Sequence, residues 1–264
     1  MKNILRIALV QMFSEKGAVD QNLAETSSHI EEAYKRGIDI IAFPEASITG
    51  YHEPARFPYA IVKQEGPEVT EFVKMTGGKN LTALGGIIEA NPDGVPFTTH
   101  VVASRGKLEG YFRKISPPEE EGEWYAPGKE IKVFDHNGLT FGIAICADIM
   151  KENLFEECSR MGAKVVFELA APSLDGDRTT RDWKAGYEWW EGVCNKYFKK
   201  YAKKYNIWVP VATQAGRTCD QDYPGGGYLF NPRGERVYAT KDWQPGVVVY
   251  LEINLESEEV KELS

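Results

Sequence analysis

Cysteine and histidine are scarce in this chain, four of each among 264 residues, and neither is spaced for metal or disulfide chemistry. Cys146, Cys158, Cys194 and Cys219 form no C-x-x-C pair, and His29, His52, His100 and His136 stand apart from one another and from the cysteines. A structural zinc site and a disulfide framework are therefore not expected. Long apolar runs are missing too. The longest are strand-length, which excludes a membrane-spanning helix. The opening Met1-Lys-Asn-Ile-Leu-Arg6 lacks the apolar core and cleavage site of a secretory signal, so the expected location is cytoplasmic. The net charge is −8 and no basic block interleaves with aromatic residues, which argues against nucleic acid as a partner. The one lysine cluster, Lys199, Lys200, Lys203 and Lys204, reads as the solvated face of a helix carrying Tyr197, Phe198, Tyr201 and Tyr205.

Hydrophobic residues make up 42% of the chain, and its glycines and prolines are spread without a low-complexity linker or repeat. A chain of this length buries roughly 70–75% of its unfolded surface. One domain over residues 1–264 is expected, ending in a short acidic tail at 255–264. Strand Ile4–Val10, helix Asn22–Arg36 (with Leu23, Ile30, Ala33 and Tyr34 at helical spacing) and strand Ile38–Phe43 form an opening β-α-β unit. A short helix at Glu68–Met75 precedes strands at Leu81–Glu89, Thr98–Ser104 and Lys107–Phe112, joined by turns suited to antiparallel pairing. A second β-α-β unit follows in strand Leu139–Ile145, helix Lys151–Met161 and strand Lys164–Leu169. Asp182–Tyr205 reads as a long helix despite Gly186 and Gly192, and strands at Ile207–Ala212, Gly227–Asn231, Glu235–Ala239 and Val247–Ile253 close the chain. The mixture implies an α/β fold of two sheets with helices on their outer faces.

Three chemically useful residues each follow an apolar run: Glu45, Lys114 and Cys146. Strand C-terminal ends are the usual place for chemistry in open α/β sheets. A carboxylate can take the thiol proton and later activate water. A thiolate can attack a planar carbon bound to nitrogen, and an ammonium can hold the oxyanion, helped by the backbone N–H of Ala147. Cys146 stands just past a buried strand and before the expected helix, whose N-terminal partial charge and N–H groups are expected to lower its thiol pKa. Taken singly, each residue has an ordinary reading: a buried cysteine, a helix-start carboxylate, a solvated strand end. Their neighbours distinguish them.

Phe43-Pro-Glu45-Ala-Ser-Ile-Thr-Gly50-Tyr51, Tyr111-Phe-Arg-Lys114-Ile and Gly142-Ile-Ala-Ile-Cys146-Ala-Asp148 resemble, in order and separation, the three signatures of the nitrilase (carbon–nitrogen hydrolase) superfamily. The resemblance runs from Ala8-Leu-Val-Gln11 to Asn231-Pro-Arg-Gly234-Glu235, nearly the whole chain. It implies a four-layer α-β-β-α sandwich, with Glu45 as general base, Lys114 as oxyanion stabiliser and Cys146 as nucleophile, and no metal or organic cofactor. Many members carry a second glutamate beyond the lysine. Glu121 is the choice here, with Glu119, Glu120 and Glu123 as rivals in the same acidic loop.

Departures from the family pattern bear on the substrate. Ala147 stands where many members have an aromatic residue, and the Cys-Trp-Glu usual in nitrile hydrolysis is absent. A small-molecule amide is therefore expected rather than a nitrile, with N-carbamoyl amino-acid hydrolysis, nitrile hydrolysis and a non-catalytic binding protein on the same fold as alternatives. Glu168, in Glu168-Leu-Ala-Ala-Pro-Ser173, is expected at the pocket rim. Arg178 and Arg181 are candidates for a substrate carboxylate, although Asp175, Asp177 and Asp182 are ready alternative partners. Tyr51, Trp124, Trp189 and Trp190 are candidates for an apolar pocket wall, with core or subunit-interface packing an equal alternative for Trp189 and Trp190. Family members commonly dimerise, so a homodimer or higher homo-oligomer is the expected assembly.

Overall fold

The computed structural model describes residues 3–119 and 122–263. Its first half is built on β1 (Ile4–Gln11), α1 (Val19–Lys35), β2 (Ile40–Ala42), α2 (Pro67–Met75) and β3 (Thr82–Glu89), with the three strands parallel neighbours. Its second half repeats the plan with β7 (Leu139–Ile145), α3 (Glu152–Arg160), β8 (Val165–Ala170), α4 (Trp183–Tyr205) and β9 (Val209–Thr213), again parallel. Antiparallel strands widen both sheets. β4 (Phe97–Ser104), β5 (Lys107–Arg113), β14 (Val247–Asn254) and β15 (Val260–Glu262) give the first sheet the order β15-β14-β1-β2-β3-β4-β5. β6 (Val133–His136), β12 (Gly227–Phe230) and β13 (Arg236–Ala239) give the second the order β13-β12-β9-β8-β7-β6. β10 (Ala215–Arg217) and β11 (Asp222–Pro224) pair only with each other.

The central strands are apolar on both faces because both are covered. Along β1, Leu5, Ile7 and Leu9 join the core shared with the second sheet, while Ala8 and Val10 pack in a separate layer with Leu23, Ile30 and Ala33 of α1 and Val69 and Phe72 of α2. Leu154, Phe155 and Cys158 of α3 and Trp190, Cys194 and Phe198 of α4 pack on the second sheet. Each large apolar side chain so buried contributes roughly 1.5–3 kcal/mol. The result is the expected four-layer α-β-β-α sandwich. Among the described residues, no helix is long and apolar enough to cross a membrane.

Strand direction decides where chemistry can collect. Two antiparallel steps separate β5 from β3, so β5 points the same way as β3 and its parallel neighbour β2. The residues after β2 and β5 therefore emerge at one edge of the first sheet.

In the acidic tail, β15 pairs with β14 through Leu251↔Glu262 to Ile253↔Val260 and becomes the sheet edge. Two expectations need correction. Tyr34 is 46% exposed: it is adjacent to buried Ala33, so it points about 100° round the helix from the core face. The segment after β7 is a 3₁₀ stretch at Cys146–Met150, and α3 starts only at Glu152.

The turn carrying Glu45 presses on β3 at Gly86. A Cβ added there would lie 2.3 Å from the Ala46 nitrogen and 2.8 Å from the Pro44 oxygen. Both neighbours are backbone and cannot rotate away. Gly86→Ala is expected to lower stability by about 1–3 kcal/mol in urea denaturation. Gly94→Ala, whose added carbon comes no closer than 3.7 Å to another group, should stay within about 0.5 kcal/mol of wild type.

Candidate active site

Glu45 leaves β2 through Phe43-Pro44, and the turn is closed by hydrogen bonds from Ser47 N to Pro44 O (3.2 Å) and from Gly50 N to Ala46 O (2.7 Å). Ser47 and Thr49 fix it to β3, their hydroxyls accepting from Gly86 N at 2.9 Å and Ile88 N at 3.0 Å. Ala46 is thereby held at φ 50°, in the left-handed region that costs an ordinary residue roughly 1–2 kcal/mol. Lys114 follows β5, its backbone N–H donating to Thr98 O at 2.8 Å. Its ammonium donates to Glu45 Oε1 at 2.8 Å, and both residues are withdrawn from solvent. Glu45 Oε2 accepts from Ala171 N at 3.3 Å, across from the other sheet. The carboxylate thus joins the two halves of the sandwich.

Cys146 ends β7 at φ 49°, another left-handed non-glycine residue, and is half-buried. Glu45, Lys114 and Glu168 all act electrostatically on its thiol. Burial, reinforced by the Glu45 charge, pushes the thiol pKa up, while Lys114 and the Ala171 N–H pull the other way. This corrects the expectation of a lowered value. The turn after Cys146 is too short to supply a strong helix dipole, and a carboxylate sits beside the thiol. At rest Cys146 is a thiol in the field of the Glu45 carboxylate.

Asp148 locks the two loops together. Its fully buried carboxylate accepts from Ser116 N at 2.7 Å, Ile115 N at 3.3 Å and Ile145 N at 3.1 Å. The lysine loop and the cysteine turn therefore share one anchor. Burial raises the Asp148 pKa to about 6, against the pull of Lys114 and these N–H groups. Aromatic side chains pack against the Glu45 turn. Tyr51, Tyr125 and Tyr223 cluster with Ala46, Ile88 and Ala171, with Trp124 packed alongside. The Lys114 ammonium lies 5.6 Å from the centre of the Tyr51 ring. Burial, then the Glu45 charge, raises the Tyr223 pKa, placing its phenol in the same field.

Such a cluster (a carboxylate, an ammonium and a thiol at adjoining strand ends) agrees with the sequence signatures, and the family model for carbon-nitrogen hydrolases matches residues 6–260. The chain belongs to the carbon–nitrogen hydrolase family. It is 22% identical over 98% of its length to a glutamine-dependent NAD(+) synthetase of Acinetobacter baylyi, of which it covers 46%. It is 31% identical over 51% of its length to a formamidase of Pseudomonas syringae pv. tomato, covering 40% of that protein. The chain thus spans less than half the length of these relatives. Among solved structures, it superposes with TM-score 0.80 on an amidase variant from Nesterenkonia sp. AN1 bearing the acetamide moiety of fluoroacetamide on its active-site cysteine. The identity is 17%, with 96% of this chain and 92% of that one covered.

In this carbon–nitrogen hydrolase the remaining expected site residues fall unevenly. Ala147 is buried beside Cys146 and Tyr51 lies on the aromatic wall. Glu121 and its rival Glu120 lie outside the described residues, while Glu119 and Glu123 are exposed. Glu168 is not at a rim: it lies within β8, paired in register with Ala144, and is fully buried. Trp190 is core, donating to Thr213 Oγ1 at 2.9 Å, and Trp189 is half-exposed on α4. Tyr125, Tyr223, the Ala171 N–H and the clamping role of Asp148 were not singled out from sequence. The Cys146-Ala-Asp148 spacing was the one available signal, since it lets a short turn fold its third side chain back onto the preceding strand.

Arg178 is also corrected. Its guanidinium donates to Asp222 Oδ1 at 3.1 Å, Cys219 O at 3.0 Å and Thr218 O at 2.6 Å, so its donors serve the protein rather than a substrate. Arg181 and Arg217 reach the same fully buried carboxylate, each at 3.0 Å. Burial pushes Asp222 up, but the three guanidinium groups outweigh it and hold the carboxyl below its ordinary value. This group therefore stabilises the fold above the ordinary carboxyl range and loses that contribution as pH falls. Asp222→Ala is expected to lower stability by about 3 kcal/mol or more at neutral pH. Arg178→Ala, which leaves two arginines in place, should lower it by about 1 kcal/mol or less; chemical denaturation separates the two outcomes.

Proposed function

We propose that this protein hydrolyses the C–N bond of a small amide through a thioester on Cys146. The observation that carries the reading is the buried 2.8 Å Lys114–Glu45 pair set beside a protonated, half-buried thiol. Glu45 takes the thiol proton as sulfur attacks the amide carbon. The oxygen that gains negative charge is held by Lys114 and the Ala147 N–H. The tetrahedral adduct collapses by breaking its C–N bond, and the proton stored on Glu45 leaves with ammonia or an amine. Water then attacks the thioester, giving its proton to Glu45 and a hydroxyl to the acyl carbon. This second tetrahedral adduct collapses by breaking its C–S bond, releasing a carboxylic acid, and the Glu45 proton returns to the Cys146 sulfur. A single carboxylate can serve both half-reactions because each returns it to its starting state.

The aromatic cluster of Tyr51, Trp124, Tyr125 and Tyr223 beside the Glu45 turn, together with the small side chain of Ala147 next to Cys146, supports a compact organic amide. A second reading has its own support: the side-chain amide of glutamine. The two matches that span 98% and 92% of this chain are both glutamine-dependent NAD(+) synthetases, whereas the formamidase of Pseudomonas syringae pv. tomato matches only 51%. Both readings use the same cysteine chemistry and differ in what the wall must accept.

Ammonia release from formamide, acetamide, propionamide, benzamide and glutamine distinguishes them, with wild type and Cys146→Ala compared throughout. Turnover should fall at least about 10³-fold in the variant while its melting temperature is retained. Strong preference for glutamine would select the second reading. Undiminished turnover in Cys146→Ala would refute both.

A further inference from the structure

Behind the nucleophile lies a carboxyl group that the mechanism does not use. Glu168 sits on β8 opposite Ala144 of β7, two residues before Cys146, and is fully buried. Neither of its carboxyl oxygens has a hydrogen-bond partner. The surroundings are electrically one-sided. Asp148 approaches from the turn after β7, and Glu45 from the turn after β2. Among the described residues, Lys114, after β5, supplies the positive charge in its field, and the Cys146 backbone N–H gives only a minor attraction. On the helix side stands Cys194 of α4, whose thiol feels Glu168, Cys146, Arg236 and Glu191. Arg236 and Glu191 are already paired with each other at 2.6 Å. The β9 residue in register with Glu168 is apolar Val211.

A charge count follows. Among the described residues, if every group ionised, three carboxylates (Glu168, Asp148 and Glu45) would face the Lys114 ammonium, and a thiolate at Cys146 would add a further negative charge. Burying unpaired charge is far more expensive than holding a proton. Asp148 has three N–H donors and Glu45 has an ammonium and an N–H, whereas Glu168 has none at bonding distance. The proton belongs on Glu168.

We propose that Glu168 is a positioning residue for Cys146: a neutral carboxylic acid stored behind the nucleophile, whose neutrality keeps a further negative charge away from the sulfur where the thiolate forms. Ionising Glu168 would put an uncompensated carboxylate near Cys146 and oppose thiolate formation. Burial, then repulsion from Asp148 and Glu45, displaces the Glu168 equilibrium in the direction this requires. The kinetic part of the proposal rests on Cys146 being the nucleophile; the protonation state does not.

The test compares wild type with Glu168→Gln, a permanent mimic of the neutral acid. Infrared difference spectra at about pH 8 should show the carbonyl stretch of a protonated carboxylic acid in wild type and its loss in the variant. Folded-state Glu168 holds its proton above the ordinary value of 4.5, so its contribution to stability is present below that pH and is lost as pH rises. In that window the unfolding equilibrium of wild type should worsen relative to Glu168→Gln by about tenfold per pH unit. The alkaline limb of amide turnover should move upward by at least about one pH unit in the variant. No acid band in wild type, parallel stability curves or an unmoved limb would overturn the proposal. Absence of any amide turnover would count against the nucleophile assignment, with the infrared and stability arms still deciding the state of Glu168. Should Glu168→Gln fail to fold, Glu168→Leu serves the same comparisons.

Discussion

The Lys114–Glu45 contact puts two charges where water cannot reach them, and much of the surrounding architecture serves to make that tolerable. Removing two ions from water is expensive, and their mutual attraction offsets the loss only where other donors complete the shell. Here the completing donor is the Ala171 N–H, which comes from the opposite sheet. The two sheets must therefore pack in one register for the pair to exist at all. Once they do, the pair holds a base and a cation in fixed relation to the thiol, so little reorganisation is needed when charge moves during a reaction.

The cysteine turn follows the same logic by different means. Two ordinary residues, Ala46 and Cys146, are held in left-handed conformations in the turns that follow β2 and β7. Backbone of this kind persists only where its surroundings over-determine it. For Ala46 these are the Ser47 and Thr49 hydroxyls and the absence of a side chain at Gly86. For Cys146 it is Asp148, which ties its turn to the lysine loop. Strain and clamp occur together in both places.

The sequence was most informative where spacing and burial coincide. Continuous apolar strands such as Ile4–Gln11 and Leu139–Ile145 are legible because both faces are covered, and the residues just beyond strands β2, β5 and β7 lead to Glu45, Lys114 and Cys146. Contacts made across the fold were not legible. Nothing local in Tyr223 tells that it shares a cluster with Tyr51, and nothing local in Arg178 tells that Asp222, 44 residues away, takes its guanidinium. Glu168 misled for the opposite reason. A carboxylate is ordinarily a surface residue, so a polar position at the end of a strand reads as a rim. Its register with Ala144 puts it inside. The thiol pKa was read from a helix that the short 3₁₀ turn does not supply.

The register of β1 with β14, from Ile4↔Asn254 to Gln11↔Val247, has a consequence for biosynthesis. The chain emerges from the ribosome N-terminus first, so β1 waits for a neighbour far downstream, the partner of Ile4 being Asn254. Until then one side of a long apolar strand presents unpaired N–H and C=O groups, the kind of edge that recruits strands from other chains. Glu45 likewise meets a donor 126 residues downstream, so the reactive cluster cannot close early in synthesis. Productive folding of this protein is thus a race between late strand addition and intermolecular pairing, and high temperature or rapid expression tilts that race toward aggregation.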